Sequence, residues 1–486
     1  MNKITKHSTE ENDSDWIGAT VFEDKPSKSS QVLIFVLCGW LIIAVLAFGA
    51  VDPWALGLQA VVAAVVGLLW ISDAWARGEL RISANLLQLP LLALILIGLI
   101  QFLPLRDVSA VSNLLNAPAS NSLTYDAHST LLFIIQLVVY LIYFAAALAF
   151  INSQKRLRAV AGVIVVFGMA IAAFSIIQSL SSEGKIYWTR EAYQANPFGT
   201  YVNSHHFATL MEMTLALTLG LLYTKAIEKE MRPLQIFAAI VMGAALILTG
   251  SRGGILSLLG VLGLLALMGA AGSKVDGEDS EKKVSARQRL VFFGGGGLLL
   301  FVVLMGVTSL LGGDNALLRG IGFGNQADDF SNGRLHFWQT SLEIIKNNLF
   351  FGVGLDAFAM AYTRYDTWNG AFRVERAHND YLQILAETGI AGLILVIAFL
   401  AILFRQGWRI ISSTHDRFRR GVALGSLAGC FGVAIHSFFD FPLRTPANAL
   451  FFLTLAALAT VGINYPKLHR RKAESRRRKT ESRGDA

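Results

Sequence analysis

A chain of 486 residues that is 54% hydrophobic and 16% charged, with a mean hydropathy of +0.51, is not an ordinary soluble domain. Its net charge of +8 raises nucleic acid as a partner, but no Walker-type phosphate loop, dinucleotide fingerprint or zinc-ligand spacing accompanies it. Apolar stretches recur throughout, each near the roughly 20 residues a spanning helix needs, and strand-period alternation is absent. The composition therefore indicates an all-α polytopic membrane protein, because a backbone in lipid must satisfy its own hydrogen bonds.

Residues 1–30 are polar and short of apolar anchors, which predicts a disordered cytoplasmic tail rather than a cleaved signal peptide. Hydropathy then predicts about 12 transmembrane helices, near 31–50, 55–72, 86–103, 130–151, 159–179, 204–224, 235–250, 252–271, 290–311, 381–404, 421–440 and 447–464. Cys38 and Cys430 both fall inside these spans and suggest neither a disulfide framework nor a thiol metal site. With both termini in the cytoplasm, 31 of the 42 Lys and Arg lie on that side, as the positive-inside rule requires. The basic run at 465–486 reads as a cytoplasmic topology signal beside anionic lipid.

The chain thus divides into a tail at 1–30, spans 1–9 within 31–311, a loop at 312–380, spans 10–12 within 381–464 and a second tail at 465–486. Outer intervals at 104–129 and 180–203 are long, but 312–380, between spans 9 and 10, is the longest and predicts a large helical periplasmic cap. Inside it the pattern predicts a helix from Arg334 to Asn348, with Ser331 or Asn332 as N-cap. Leu335, Trp338, Leu342 and Ile345 recur at three- and four-residue steps, which predicts one apolar face for an amphipathic helix along the membrane surface. Gly352 and Gly354 end it.

Polar residues with chemistry to offer gather at the outer ends of the spans. Arg252, between Ser251 and Gly253-Gly254, interrupts a very long apolar run. An arginine there marks a substrate path, or snorkels to lipid phosphate. Arg334 can clamp phosphate oxygens bidentately, or be a surface arginine. His378, in Ala377-His378-Asn379-Asp380, is a candidate general base or phosphate donor, with Asp380 or Glu387 to orient it. Asn203, His205 and His206 form a second knot; adjacent histidines face different sides of a helix and make a poor metal pair. His436, Asp440 and Arg444 form a third. The co-location of all three knots on one membrane face is what points to a site.

These pieces resemble the O-antigen ligase and O-antigen polymerase superfamily of bacterial inner-membrane glycosyltransferases. The resemblance rests on Phe198-Gly199-Thr200-Tyr201-Val202-Asn203 with His205-His206-Phe207, Ser251-Arg252-Gly253-Gly254, and Gly333-Arg334 ahead of Trp338. It continues in order through Gly352-Val353-Gly354, Ala377-His378-Asn379-Asp380-Tyr381-Leu382 and His436-Ser437 with Asp440-Phe441. This chain has Leu349 and Phe350 where the family often has a proline before the Gly-x-Gly turn, which bears on the local bend. The resemblance implies a glycan on undecaprenyl diphosphate, transferred at the periplasmic face to an acceptor hydroxyl with inversion, without cofactor or metal. It further implies His378 as base or stabiliser, and Arg252 and Arg334 on the diphosphate. Asn379, Asp380, Glu387, Asn203, His205, His206, His436, Asp440 and Arg444 are expected to support them.

The acceptor is a lipid A-core sugar for a ligase, or a lipid-linked repeat unit for an O-antigen or exopolysaccharide polymerase. A chain-length regulator or other polysaccharide-assembly proteins are the expected partners, and nucleic acid is not. The rival class is a transporter or flippase, which predicts paired broken helices and ionisable residues at mid-membrane.

Overall fold

A computed structural model describes residues 27–106, 121–192, 196–271, 333–368 and 373–463. Among them every regular element of more than a bridge is helical. In chain order the α-helices are α1 (Lys28–Leu46), α2 (Pro53–Arg77), α3 (Gln88–Ile100), α4 (Ala127–Phe150), α5 (Gln154–Ser181), α6 (Ser204–Tyr223) and α7 (Arg232–Leu248). They continue with α8 (Arg252–Ala271), α9 (Arg334–Asn347), α10 (Phe358–Tyr365), α11 (Asp380–Ser413), α12 (Arg417–His436) and α13 (Pro446–Thr460).

Among the described residues eight helices are long and apolar enough to cross a membrane: α1, α2, α4, α5, α6, α7 with the turn before it, α11 and α12. Three shorter apolar helices, Gln88–Ile100, Arg252–Met268 and Pro446–Thr460, occupy three more of the expected spans. The ninth expected span, most of both tails and cap residues 312–332 lie outside the described residues.

Side-chain caps start the helices where polar residues precede apolar runs. Ser27, Asp126, Ser153, Asn203, Asn379 and Asp416 each accept from a backbone N–H in the first turn that follows. The loops at the two ends of the bundle then tie to one another. At one end Gln154 donates to Asp416 at 2.6 Å, Arg156 to Ser30 at 2.6 Å and Arg419 to the Leu458 carbonyl at 2.9 Å. At the other, Arg190 pairs with Asp52 at 2.6 Å and Thr200 donates to the Val45 carbonyl at 2.8 Å.

α6 and α12 form the centre of the bundle and are buried along most of their length. Their backbones approach so closely that a Cβ on Gly425 would sit 2.7 Å from the Ala216 carbonyl oxygen and from the Leu217 Cα. Lipid tails are as apolar as Leu, so small residues that permit close packing hold such a pair together. Gly425→Leu is expected to remove most of the folded protein from the membrane, read as the detergent-stable monodisperse fraction on size exclusion. A normal fraction would show that this crossing is dispensable.

α11 is broken at Gly389 (φ 65°, ψ −165°). The turn at 349–354 docks into the break: Ile390 N–H donates to the Leu349 carbonyl at 2.9 Å, Val353 N–H to Ala386 at 2.9 Å and Gly354 N–H to Glu387 at 3.0 Å. Backbone groups freed by the break are thereby satisfied by the cap segment. Gly352 (φ 67°) and Gly354 (φ 110°) make the bend without the proline, using a left-handed conformation that costs glycine nothing.

The cap helix α9 corrects one expectation. Its N-cap position is Gly333 (φ 76°), with no side-chain cap bond, whereas Ser331 and Asn332 lie outside the described residues. Its buried face is Thr340, Ser341, Ile344 and Ile345, while Leu335 and Leu342 are exposed. Of the expected apolar face, Ile345 is buried and Trp338 half-buried. α9 packs against α11, and Ser341 donates to the Phe337 carbonyl at 2.6 Å, while the exposed Leu335 and Leu342 stand where a helix along a membrane surface would meet lipid.

Candidate active site

The chain enters α11 through Ala377-His378-Asn379. Asn379 Oδ1 caps the helix, accepting from the N–H groups of Tyr381 and Leu382 at 3.0 Å, and its Nδ2 donates to the Phe438 carbonyl at 3.1 Å. Trp338 Nε1 donates to the Ala377 carbonyl at 3.1 Å, and the Ala377 N–H donates to Gln383 at 2.7 Å. His378 between them is left-handed (φ 50°), at a cost on the order of 1–2 kcal/mol for a residue with a Cβ. These flanking bonds hold a side chain in a conformation it would not choose.

The conformation directs the imidazole at Asp440. His378 Nδ1 lies 3.2 Å from Asp440 Oδ1, which also accepts the Phe441 N–H at 2.9 Å. A carboxylate only accepts, so Nδ1 carries the proton and Nε2 is left to another partner. The ring packs between Phe337 (5.9 Å) and Phe441 (4.9 Å), and 31% of its side-chain surface stays exposed against 2% for Asp440. Burial works against the Asp440 charge, but the His378 hydrogen bond and the nearby imidazoles of His205, His206 and His378 outweigh it. Together they hold the carboxyl well below the usual carboxylate range.

The orienting carboxylate is thus Asp440, and the assignment of that role to Asp380 or Glu387 is corrected. Asp380 accepts from Ser437 Oγ at 3.0 Å, and its N–H donates to the Ser437 carbonyl at 2.8 Å. Glu387 is buried and committed to Arg444 Nη2 and to Gln383 at 2.6 Å. Arg444 also reaches Asp356 at 3.1 Å, and Asp356 takes a second arginine, Arg376. Gln101 completes this knot by donating to the Glu387 carbonyl at 2.7 Å and accepting from Leu355 N–H at 2.9 Å. Arg444→Ala removes the ion-pair partner of buried Glu387, a loss of about 3–5 kcal/mol. We expect a lower thermal unfolding midpoint in detergent and loss of membrane-localised protein; an unshifted midpoint would show the knot to be dispensable.

Below the dyad sits a second imidazole–carboxylate pair. His436 Nδ1 lies 2.6 Å from Glu212 Oε1 and 3.0 Å from Thr209 Oγ1, all buried, and Nε2 faces Ser251 Oγ at 3.5 Å. A Cβ on Gly253 would come within 2.8 Å of the His436 ring, so the first turn of α8 rests directly on it. Ser251 Oγ accepts the Gly254 N–H at 3.1 Å and starts that turn, placing half-buried Arg252 as its first residue. Arg334, first residue of α9, lies within electrostatic reach of both His205 and His436.

Asn203 caps α6 by accepting from the His205 N–H at 2.8 Å. The two histidines after it make different contacts. His206 is buried, with Nδ1 2.6 Å from Thr445 Oγ1 and its ring 4.8 Å from Phe441; His205 is half-buried, and both lie within electrostatic reach of Asp440. The geometry therefore joins His378, Asp440, His205, His206, Arg334 and His436 in one cluster, with Asn379 and Asn203 as its helix caps. Arg444, Glu387 and Asp380 stand behind it as framework. Sequence reasoning missed Glu212, although a lone acid inside an apolar span is a signal in itself. It also missed Asp356 and Arg376, which nothing in the local pattern distinguishes.

A helical bundle with eight membrane-length helices among the described residues, and a cluster of imidazoles, carboxylates and arginines, defines a multi-pass membrane protein with an ionisable site. Residues 237–397, about a third of the chain, match the family model described as O-antigen ligase, and this bears out the resemblance of the motifs to the O-antigen ligase superfamily. The matched segment contains Arg252, Arg334, His378 and Glu387, and it supports a membrane enzyme of the O-antigen ligase or polymerase type. No curated protein matches the chain.

Proposed function

We propose that this protein transfers a glycan from undecaprenyl diphosphate to an acceptor hydroxyl at the periplasmic face of the bacterial inner membrane. The observation that carries the reading is the His378–Asp440 dyad, a half-exposed imidazole backed at 3.2 Å by a buried carboxylate. In the proposed step the acceptor oxygen attacks the anomeric carbon, and the bond from that carbon to the diphosphate oxygen breaks. Nε2 of His378 takes the acceptor proton, and undecaprenyl diphosphate leaves.

Attack from the face opposite the leaving group inverts the anomeric centre and needs one base, by analogy with inverting glycoside hydrolysis. Negative charge grows on the leaving oxygens, and fixed cations aimed there lower the barrier. Arg252 and Arg334 are assigned that role. Both head a helix, at α8 and α9, where N-terminal backbone amides favour the same charge. The cap segment 349–354 and α9 bring the aqueous loop against α11, the helix that follows His378, which suits a donor whose lipid stays in the bilayer.

The acceptor is read by deleting the gene and resolving surface polysaccharide on a gel. Free lipid-linked polymer with bare lipid A-core identifies a ligase, and single capped repeats without long chains identify an O-antigen polymerase. Loss of a secreted polymer with normal lipopolysaccharide identifies an exopolysaccharide polymerase. An unchanged profile of every glycan contradicts the proposal and returns the transporter reading.

A further inference from the structure

We propose that the cap carries a sugar-binding platform at Trp368, which holds a pyranose ring of the glycan a short distance along the chain from His378. Trp368 is 46% exposed although it follows α10 in a folded part of the cap. His336 stacks on one face of its indole at 4.1 Å and 4°, so the exposed area lies mainly on the other face.

The stack is braced. His336 Nε2 lies 2.8 Å from Asp366 Oδ1, and the same oxygen accepts the Trp368 N–H at 3.1 Å. Phe337 meets the indole edge-on at 6.0 Å, and a Cβ on Gly333 would touch it at 3.2 Å. An aromatic ring fixed in advance binds without the ordering cost that a mobile one incurs. The polar faces of a sugar need hydrogen bonds, but its C–H face needs an apolar plate, and a rigid amphipathic indole supplies one.

The location suits this occupant. Phe337 bridges the indole to the imidazole of His378, at 6.0 Å and 5.9 Å, so the two rings lie at most about 12 Å apart. That is within the reach of a short oligosaccharide whose reacting end is at His378. The platform's backing is a histidine paired with a carboxylate, surroundings that suit an aqueous ligand better than a lipid tail. The identity of the ligand rests on the proposed glycan transfer, but the binding test does not.

The test uses the full-length protein in lipid nanodiscs and two probes, the repeat-unit oligosaccharide released from the strain's lipid-linked donor by mild acid, and the delipidated core oligosaccharide. Affinity is measured by calorimetry for wild type, Trp368→Ala, Trp368→Leu and Trp368→Tyr. Loss of one aromatic plate should weaken one probe about tenfold, with Trp368→Tyr within about twofold of wild type and Trp368→Leu as weak as alanine. The probe that weakens shows whether the platform serves donor or acceptor. In turnover the same variants should raise KM and leave kcat unchanged.

Wild-type affinity retained in Trp368→Leu would mark the residue as an apolar interface anchor and overturn the proposal. So would binding unchanged in Trp368→Ala, or no binding of either probe to wild type. His378→Ala should keep full affinity for both probes, so a failure of the platform and a failure of the transfer reading are separately visible.

Discussion

Glycan transfer is expected to fall by about 10²- to 10⁴-fold when His378 becomes alanine, the range over which a positioned general base contributes. Insertion and folding should survive, because the bonds that fix the turn belong to its neighbours: Asn379 caps α11, Trp338 holds the Ala377 carbonyl and Gln383 its N–H. Relief of the left-handed strain at position 378 is small for alanine, which has a Cβ as well. Asp440→Asn should cost nearly as much in kcat with little change in KM. The amide keeps the shape but loses the charge that stabilises the imidazolium formed when Nε2 takes a proton.

The pH dependence has a definite sign. The Asp440 carboxyl is held below its unfolded value of about 3.9, so its stabilising charge is fully present above that pH. It is lost only as pH falls through the lower folded value. Transfer measured from pH 5 to 8 should therefore show no step from Asp440, and a step that disappears in Asp440→Asn would contradict this.

The second large effect concerns the arginines. Arg252→Ala and Arg334→Ala are each expected to lower turnover about 10²- to 10³-fold, the range for removing one fixed donor from developing charge. Arg252→Lys should be nearly as impaired, since a point ammonium does not reproduce a guanidinium fork. Radiolabelled donor and mass-resolved product in proteoliposomes report turnover directly. Near-normal rates from both alanine variants would remove the diphosphate role from these residues. The His436–Glu212 pair supports Arg252 from below through Gly253, so bulk added at position 253 should mimic loss of the arginine.

Helices and their order were legible in the sequence because bilayer thickness sets apolar length, a constraint that acts residue by residue along the chain. Expected spans near 204–224, 421–440 and 447–464 fall on α6, α12 and α13. Asn203 and Asn379 were legible as polar residues of the site, but their part as helix caps emerged only with the helix starts. What a side chain touches across the bundle was not. Asp440 is 62 residues from His378 and meets it only because the α12 C-terminus folds beside the α11 N-terminus, so nearer carboxylates in sequence were chosen wrongly. Glu212 was readable in principle, as an acid within an apolar span, and only its partner needed the fold.

The most direct test of the central claim is transfer by the purified protein in nanodiscs, given undecaprenyl-diphosphate-linked glycan and an acceptor oligosaccharide. Product linkage is read by NMR. The account predicts a new glycosidic bond of inverted anomeric configuration, release of undecaprenyl diphosphate in equal amount, and neither product from His378→Ala. Retained configuration, or undiminished product from His378→Ala, would contradict it.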